Sequence, residues 1–185
     1  MLRDTAIDVL ADGGAHALTH RAVDRAAAQP LGTTKNYFAT RDALLLATTE
    51  RVYERYLYDQ EQLAALGAPS DRDGLVAVLA ELIRRGTSTD RPRLMALLEL
   101  HAEAQRRPSL GRLLAKQTEI DYRMYDRLQR AAGLPGSAAR SRVLARTMQS
   151  TLLSLLTHPD DALAAQGLDD IDAFVRGVVD AVYPA

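Results

Sequence analysis

Apolar residues recur at intervals of three and four positions along almost the whole chain, which is the spacing of amphipathic helices. Near the N-terminus, for example, Ala6, Ile7 and Leu10 fall on one helical face. No segment of useful length alternates apolar and polar residues as a half-buried strand would. The pattern therefore predicts an all-α protein.

Glycine, proline and capping residues divide this pattern into nine predicted helices. The breaks and caps near the N-terminus are, in chain order, Gly13-Gly14, Thr19, Pro30 and Thr40. They predict three short helices and a long fourth helix from Arg41 to near Gly67. Pro30 is placed in the first turn of the third helix, which covers about residues 31–37. Five further helices are predicted over residues 71–85, 91–106, 109–132, 138–157 and 169–182.

The third predicted helix is too short and too polar to be a core element. Its predicted exposed residues are Thr33, Thr34, Lys35 and Asn36. Threonine and asparagine side chains hydrogen-bond base edges, and a threonine methyl contacts a thymine methyl. Lys35, Tyr37 and Arg41 bracket this helix as phosphate contacts would. Most corners between two short helices are packing features, so that alternative stays open at this point.

Basic residues are concentrated in one short segment of the chain. The chain of 185 residues has a formal net charge of −1, which does not by itself indicate a nucleic-acid partner. Between residues 19 and 41, however, Asp24 is the only acidic residue, and the basic residues there are Arg21, Arg25, Lys35 and Arg41. This basic patch lies within a weakly acidic N-terminal region, residues 1–50. Solvated charges explain Arg21 and Arg25 as well as phosphate contacts do.

A dense motif covers about residues 3–52. Its matching residues are Gly14, Leu18, Thr19, Val23, Ala26, Ala27, Gly32, Thr33, Tyr37, Phe38, Asp42, Leu44 and Leu45. With these residues the segment resembles the DNA-binding domain of the TetR family of bacterial transcriptional regulators. The resemblance implies that the third helix enters the major groove and that two copies bind a palindromic operator as a homodimer. The candidate DNA-binding residues are Thr19, Arg25, Thr33, Thr34, Lys35, Asn36, Tyr37 and Arg41.

The segment also departs from the family pattern. Thr34-Lys35 stands where Leu-Tyr is usual, so Lys35 is expected to replace a tyrosine that commonly contacts the DNA backbone. Ala28-Gln29 replaces Gly-Val before the turn, which adds a Cβ and removes core methyl groups. Arg41 stands in place of lysine and is expected to keep a phosphate contact.

The last two predicted long helices are apolar on more than one side, which favours a partner beyond the core of one chain. The family resemblance implies that they form a four-helix bundle with their two-fold mates. Burial of both helices within the monomer is the alternative. The candidate interface residues are Leu152, Leu156, Phe174, Val178 and Val182.

Several polar, aromatic or soft residues lie among the apolar positions of the C-terminal region, as in the walls of a small-molecule pocket. The candidate effector-binding residues are Tyr56, His101, Gln105, Tyr122, Tyr125, Met148 and Gln149. Ordinary core roles are the alternative for each of them, since a lone histidine is often structural and methionine is a common core filler.

Enzymatic and metal-dependent functions are not supported by the sequence. The chain has no cysteine, its four histidines are scattered, and it lacks the nucleophile-elbow, P-loop and dinucleotide-binding motifs. No catalytic residue, metal or cofactor is predicted, and a cytoplasmic protein without a membrane span is expected.

The predicted organisation is a helix-turn-helix DNA-binding domain in residues 1–45 and an effector-binding and dimerisation domain in residues 46–185. The predicted function is a transcriptional repressor that a small-molecule effector releases from a palindromic operator. The alternative is a helical homodimer that binds a ligand or a protein partner without tight DNA binding.

Overall fold

The computed structural model of the chain describes residues 1–65 and 67–184, without the side chains of residues 62–65. The described residues form ten helices and no strand, which confirms the all-α prediction. The helices are α1 (Leu2–Ala17), α2 (His20–Ala26), α3 (Thr33–Tyr37), α4 (Arg41–Ala65), α5 (Arg72–Thr87), α6 (Arg91–Ala104), α7 (Pro108–Ala131), α8 (Ala138–Thr157), α9 (Asp160–Ala165) and α10 (Ile171–Val182).

Helix starts follow the predicted caps. The hydroxyl of Thr19 accepts a hydrogen bond from the backbone N–H of Ala22 at 3.1 Å, and Thr40 caps α4 through Ala43 N–H at the same distance. These caps satisfy amide groups that have no partner inside the helix. The short helix α9 lies in a segment for which the sequence predicted only a break.

The N-terminal helix boundaries compare with the prediction in two ways. Within α1 (Leu2–Ala17), Gly14 has non-helical φ 70° and ψ 179°, so two helical segments meet at a kink where the sequence predicted a helix end. Helix α3 begins at Thr33, because Gly32 adopts a left-handed φ of 96° that is incompatible with a helical start at Leu31. Pro30 therefore lies in the turn before α3 and not in its first turn.

The helices pack into two compact units. Unit 1 comprises Met1–Leu63 and Pro92–Gln117, and unit 2 comprises Ala64–Arg91 and Thr118–Ala185. The predicted domain boundary after residue 45 falls inside unit 1, because the core of this unit extends beyond the first three helices. Its buried apolar residues are Ala6, Ile7, Leu10, Ala15, Leu18, Val23, Leu44, Leu45, Val52, Ala96, Leu100, Leu110 and Leu114.

Unit 2 is built around α5, α8 and α10, which pack against one another. Val175 and Val179 of α10 are completely buried, as are Leu75 and Leu79 of α5. Tyr183, the C-cap residue of α10, is also buried. Its hydroxyl donates a hydrogen bond to the side-chain oxygen of Gln129, which is completely buried. This bond satisfies a polar group inside an apolar core and holds the end of α10.

None of the helices in the described part of the chain combines the length and apolar character needed to cross a membrane.

Candidate nucleic-acid interface

Asp24 connects the two helices of the helix-turn-helix. It lies on α2, its side chain is completely buried, and its two carboxylate oxygens accept hydrogen bonds from Gly32 N–H and Thr34 N–H, each at 2.7 Å. Gly32 is the N-cap residue of α3 and has no side chain with which to cap it. The carboxylate of Asp24 takes over that role, so α2 fixes both the position and the direction of α3.

The surroundings of Asp24 favour its charged form. The Thr34 side chain beside the carboxylate holds the pKa of Asp24 below its usual value, and the backbone N–H groups of Thr34 and Gly32 act in the same direction against burial. The carboxylate therefore stays ionised at neutral pH, in contact with amide hydrogens.

Burial of Asp24 also determines the charge that the helix-turn-helix exposes. Asp24 is the only acidic residue between positions 19 and 41. Arg21, Arg25 and Lys35 are exposed and form no ion pair with the residues that the structure describes. The exposed charges of this segment are consequently all positive, which makes the surface more basic than the sequence count suggested.

The turn between α2 and α3 carries local backbone strain. Ala28 adopts φ 52°, in the left-handed region that glycine occupies without cost. This is the position at which the sequence departs from the Gly expected by resemblance. Gln29 N–H donates to the backbone oxygen of Asp24 at 2.8 Å and keeps the turn closed after this residue.

The predicted DNA-contacting residues of α3 divide into exposed and buried groups. Lys35, Asn36 and Tyr37 are exposed, with Tyr37 73% exposed. Thr34 is completely buried, so the prediction that it lies on the exposed face is wrong. Its side chain packs inward because its N–H group must approach Asp24. Thr33 is half-buried, and its hydroxyl donates to the backbone oxygen of Pro30 at 2.7 Å.

The remaining predicted DNA-contacting residues lie outside α3. Thr19 and Arg25 are exposed at the start and end of α2. Arg41 is half-buried, and its guanidinium donates a hydrogen bond to the backbone oxygen of Ala15. At least one N–H group of Arg41 therefore supports the end of α1. His20 contacts the backbone oxygen of Phe38 through Nε2 at 2.6 Å, which ties the start of α2 to the end of α3.

Other polar contacts join the first helices to α6 within unit 1. Glu99 of α6 accepts a hydrogen bond from Ala15 N–H at 2.9 Å, directly after the interruption at Gly14. Arg107 donates to Asp42 at 2.9 Å, and it also pairs with Glu103. These contacts were not predicted. Among the sequence features, the Gly13-Gly14 pair marked the position, but nothing in the sequence indicated Glu99 as its partner.

The candidate effector-binding residues of unit 1 occupy different environments. Tyr56 is buried, and the guanidinium of Arg93 lies 5.8 Å from the centre of its ring. Arg93 also pairs with Asp59 at 3.3 Å. His101 and Gln105 are exposed on the surface of the unit, contrary to the expectation that they lie on an apolar face.

The candidate effector-binding residues of unit 2 are more enclosed. Tyr125 and Met148 are buried, and burial raises the pKa of the Tyr125 hydroxyl. Tyr122 is half-buried, with a guanidinium 5.8 Å from its ring centre. Gln149 donates to Asp121 at 3.1 Å. The structure thus divides the predicted effector set between the two units.

A cleft of about 500 Å³ lies in unit 1. It is lined by Met1, Leu2, Arg3, Asp4, Gln29, Thr33, Tyr37, Phe38 and Arg51. None of the candidate effector-binding residues is in this set. Both basic side chains in this set are already paired, since Arg51 contacts Asp4 at 2.7 Å and Arg3 contacts Glu54 at 2.7 Å.

The candidate dimer residues lie in unit 2. Leu152, Phe174, Val178 and Val182 are half-buried, whereas Leu156 is buried within the protomer and is removed from the candidate set. Two apolar residues of α8 that the prediction omitted, Val143 and Leu153, are 52% and 45% exposed. They were not in the predicted set because apolar residues occur on more than one side of this helix, so its sequence does not show which side faces the core.

The family model described as "Tetracyclin repressor-like, C-terminal domain" matches residues 70–181, which is more than half of the chain. A transcriptional regulator from Rhodococcus sp. Rha1 has a similar structure, with a TM-score of 0.78 and 17% identity, over 98% of this chain and 93% of that one. A search of curated proteins gave no match.

Two further solved structures are more similar in sequence. A member of the TetR family from Streptomyces coelicolor A3 is 25% identical, with a TM-score of 0.70 over 100% of this chain and 96% of that one. The multidrug binding protein EbrR, solved in complex with ethidium, is 28% identical, with a TM-score of 0.68 over 98% of this chain and 95% of that one.

Proposed function

Because this chain belongs to the TetR family of transcriptional regulators, we propose that it is a homodimeric repressor that a small-molecule effector releases from a palindromic operator. It is a regulator and not an enzyme. The observation that carries the DNA-binding part of this proposal is the exposed surface of α2 and α3. All exposed charges there are positive, and Asp24 holds α3 in place beneath them.

The chemistry of the exposed side chains suits a duplex. Lys35 and Arg25 supply cations for phosphates, and the Tyr37 hydroxyl supplies a further donor. Asn36 presents an amide that pairs with the edge of adenine in the major groove. Because two backbone amides anchor α3 to a buried carboxylate, little conformational entropy is lost when it enters the groove.

Lys35 is expected to contribute mainly a phosphate contact, so its effect depends on salt. We expect Lys35→Ala to weaken operator binding by about tenfold at low salt and to reduce the slope of log affinity against log salt by about 1. Fluorescence anisotropy measures this affinity across a series of salt concentrations, with a DNA duplex that the wild-type protein has selected from a random pool. The matched control is Lys116→Ala, because Lys116 is the only other lysine and lies exposed on α7.

An unchanged affinity and salt slope in Lys35→Ala would show that α3 does not carry the phosphate contact.

The weakly acidic charge of residues 1–50 favours a second candidate function, a homodimer that binds a ligand or protein partner without tight DNA binding. A folded dimer that selects no sequence from random duplexes, even at low salt, would support this second function.

Dimerisation through α8 and α10 is supported by the side chains that these helices leave exposed. Ala173, Gly177 and Ala181 are exposed at four-residue intervals on α10. They allow close approach of a second backbone. The apolar residues of α8, Val143 and Leu153, add exposed surface in the same unit. An apolar surface of this kind is typical of an interface between subunits.

We expect Val178→Glu to convert the dimer to a monomer, because a carboxylate in the middle of an apolar interface loses hydration without gaining a partner. Light scattering at micromolar concentration measures the molar mass. Ala102→Glu on the exposed surface of α6 is the control and should remain dimeric. A dimeric Val178→Glu protein would place the interface elsewhere.

The effector part of the proposal rests on family membership. A small molecule releases a repressor only when it binds the conformation with low DNA affinity more tightly than the conformation with high affinity. The relative EbrR binds ethidium in its solved complex. Thermal-shift measurements with a panel of aromatic cations, followed by operator release, would identify an effector for this chain.

A further inference from the structure

The helix-turn-helix exposes a large apolar residue that was not among the predicted DNA contacts. Leu31 precedes α3 and is 74% exposed, which is the highest value among the large apolar side chains of the described residues. The turn that carries it is well fixed. Thr33 donates from both its N–H and its hydroxyl to the backbone oxygen of Pro30, at 3.1 Å and 2.7 Å.

The structure also buries one of the two threonines that were expected to contact bases and uses the hydroxyl proton of the other within the chain. The side chain of Thr34 is buried, and the Thr33 hydroxyl already has an intramolecular acceptor. The side chains that remain exposed along this surface are Leu31 at its start and Lys35, Asn36 and Tyr37 after it. Leu31 is the apolar member of this set.

Leu31 is a poor partner for water and for phosphate. The apolar group that a DNA major groove offers is the C5-methyl of thymine, which distinguishes an A·T pair from the other base pairs. Covering an exposed leucine with a methyl group removes apolar surface from water on both sides. We propose that Leu31 contacts a thymine methyl in each operator half-site and so determines specificity at that base pair.

This inference rests on the proposed DNA-binding function and names one base that the interface selects. The conformation of the turn leaves Leu31 available for this contact. Gly32 adopts φ 96°, which lets the chain turn into α3 directly after Leu31 and leaves this side chain outside the core. A methyl contact depends on position and not on charge, so it is independent of the cations of the interface.

The test uses the full-length protein and duplexes selected from a random pool. Each thymine of the selected operator is replaced in turn by deoxyuridine, which removes only the methyl group. We expect one thymine in each half-site at which this replacement weakens binding of the wild-type protein about fourfold, the value for burying one methylene-sized group. Leu31→Ala should bind both forms of that duplex equally.

Leu31→Met provides the matched variant, because it keeps an apolar side chain and should retain sensitivity to deoxyuridine at the same base. Circular dichroism should show the same helix content in all variants, since Leu31 lies outside the core. Equal deoxyuridine sensitivity in the wild type and Leu31→Ala at every thymine would overturn the assignment of Leu31 while leaving specific DNA binding intact. Failure to select any sequence would overturn the proposed function as well.

Discussion

Asp24→Asn is expected to abolish specific DNA binding and to lower the melting temperature by about 5–10 °C. The carboxylate accepts hydrogen bonds from Gly32 N–H and Thr34 N–H, and it does so from inside the core. An asparagine amide has one acceptor oxygen, so its NH₂ group must face one of these two donors. One backbone N–H group and the asparagine NH₂ group then face each other in a buried site, and neither has an acceptor. Helix α3 thereby loses its fixed position.

Thermal unfolding followed by circular dichroism and operator binding by anisotropy measure the two effects. The matched control is Asp12→Asn, because Asp12 is an exposed residue of α1. It carries the same change in net charge without a buried hydrogen bond, so both measurements should stay at wild-type values. A melting temperature within 1–2 °C of the wild type for Asp24→Asn, roughly the effect expected of a surface change, would contradict the anchoring role.

The same contact makes a prediction about pH. The pKa of Asp24 is below its usual value of 3.8 in the folded protein, because the Thr34 side chain and two backbone N–H groups stabilise the carboxylate. The stabilisation that the charged Asp24 gives to the folded protein is therefore complete above pH 3.8. It is lost as the pH falls through the lower pKa of the folded state. The difference in stability between wild type and Asp24→Asn should narrow below about pH 4.

Gly14→Ala is expected to lower the free energy of unfolding by about 3 kcal/mol. Gly14 has φ 70° and ψ 179°, a backbone conformation that is almost restricted to glycine. A Cβ there would also lie 3.1 Å from Oε2 of Glu99, the oxygen that accepts from Ala15 N–H at 2.9 Å. The substitution thus adds backbone strain and displaces a charged hydrogen-bond acceptor.

Urea denaturation measures this loss, and Gly111→Ala is its matched control. Gly111 lies in α7 within unit 1, and an added Cβ would meet its nearest atom, the backbone oxygen of Ala104, at 3.9 Å. Alanine at a helical glycine should raise stability by about 0.5–1 kcal/mol. Equal effects of the two substitutions would mean that the conformation of Gly14 is not required for the fold.

The sequence determined the elements that depend on neighbours along the chain. The three- and four-residue spacing of apolar positions specified helices, and Thr19 and Thr40 specified where two of them begin, because these signals act within one helical turn. The resemblance over residues 3–52 and the family match over residues 70–181 agree on the same family, one at each end of the chain.

Tertiary packing decided which side chains of the helix-turn-helix face solvent. Thr34 and Asn36 are both polar residues of one short helix, and no local pattern distinguishes them. The difference arises because Thr34 N–H lies over the carboxylate of Asp24, a residue of another helix, and this contact turns its side chain inward. Leu31 is the converse case, an apolar residue that the conformation of Gly32 leaves exposed.

Tertiary structure likewise decided the roles of Glu99 and Leu156. Glu99 lies 84 positions from its partner Ala15, so its function in supporting the end of α1 exists only after α6 has packed in unit 1. Leu156 belongs to an apolar stripe that was assigned to the dimer, but it is buried within the protomer. Periodicity gives a residue its face on a helix, whereas the choice between core, partner and solvent depends on which other helices occupy the space around that face.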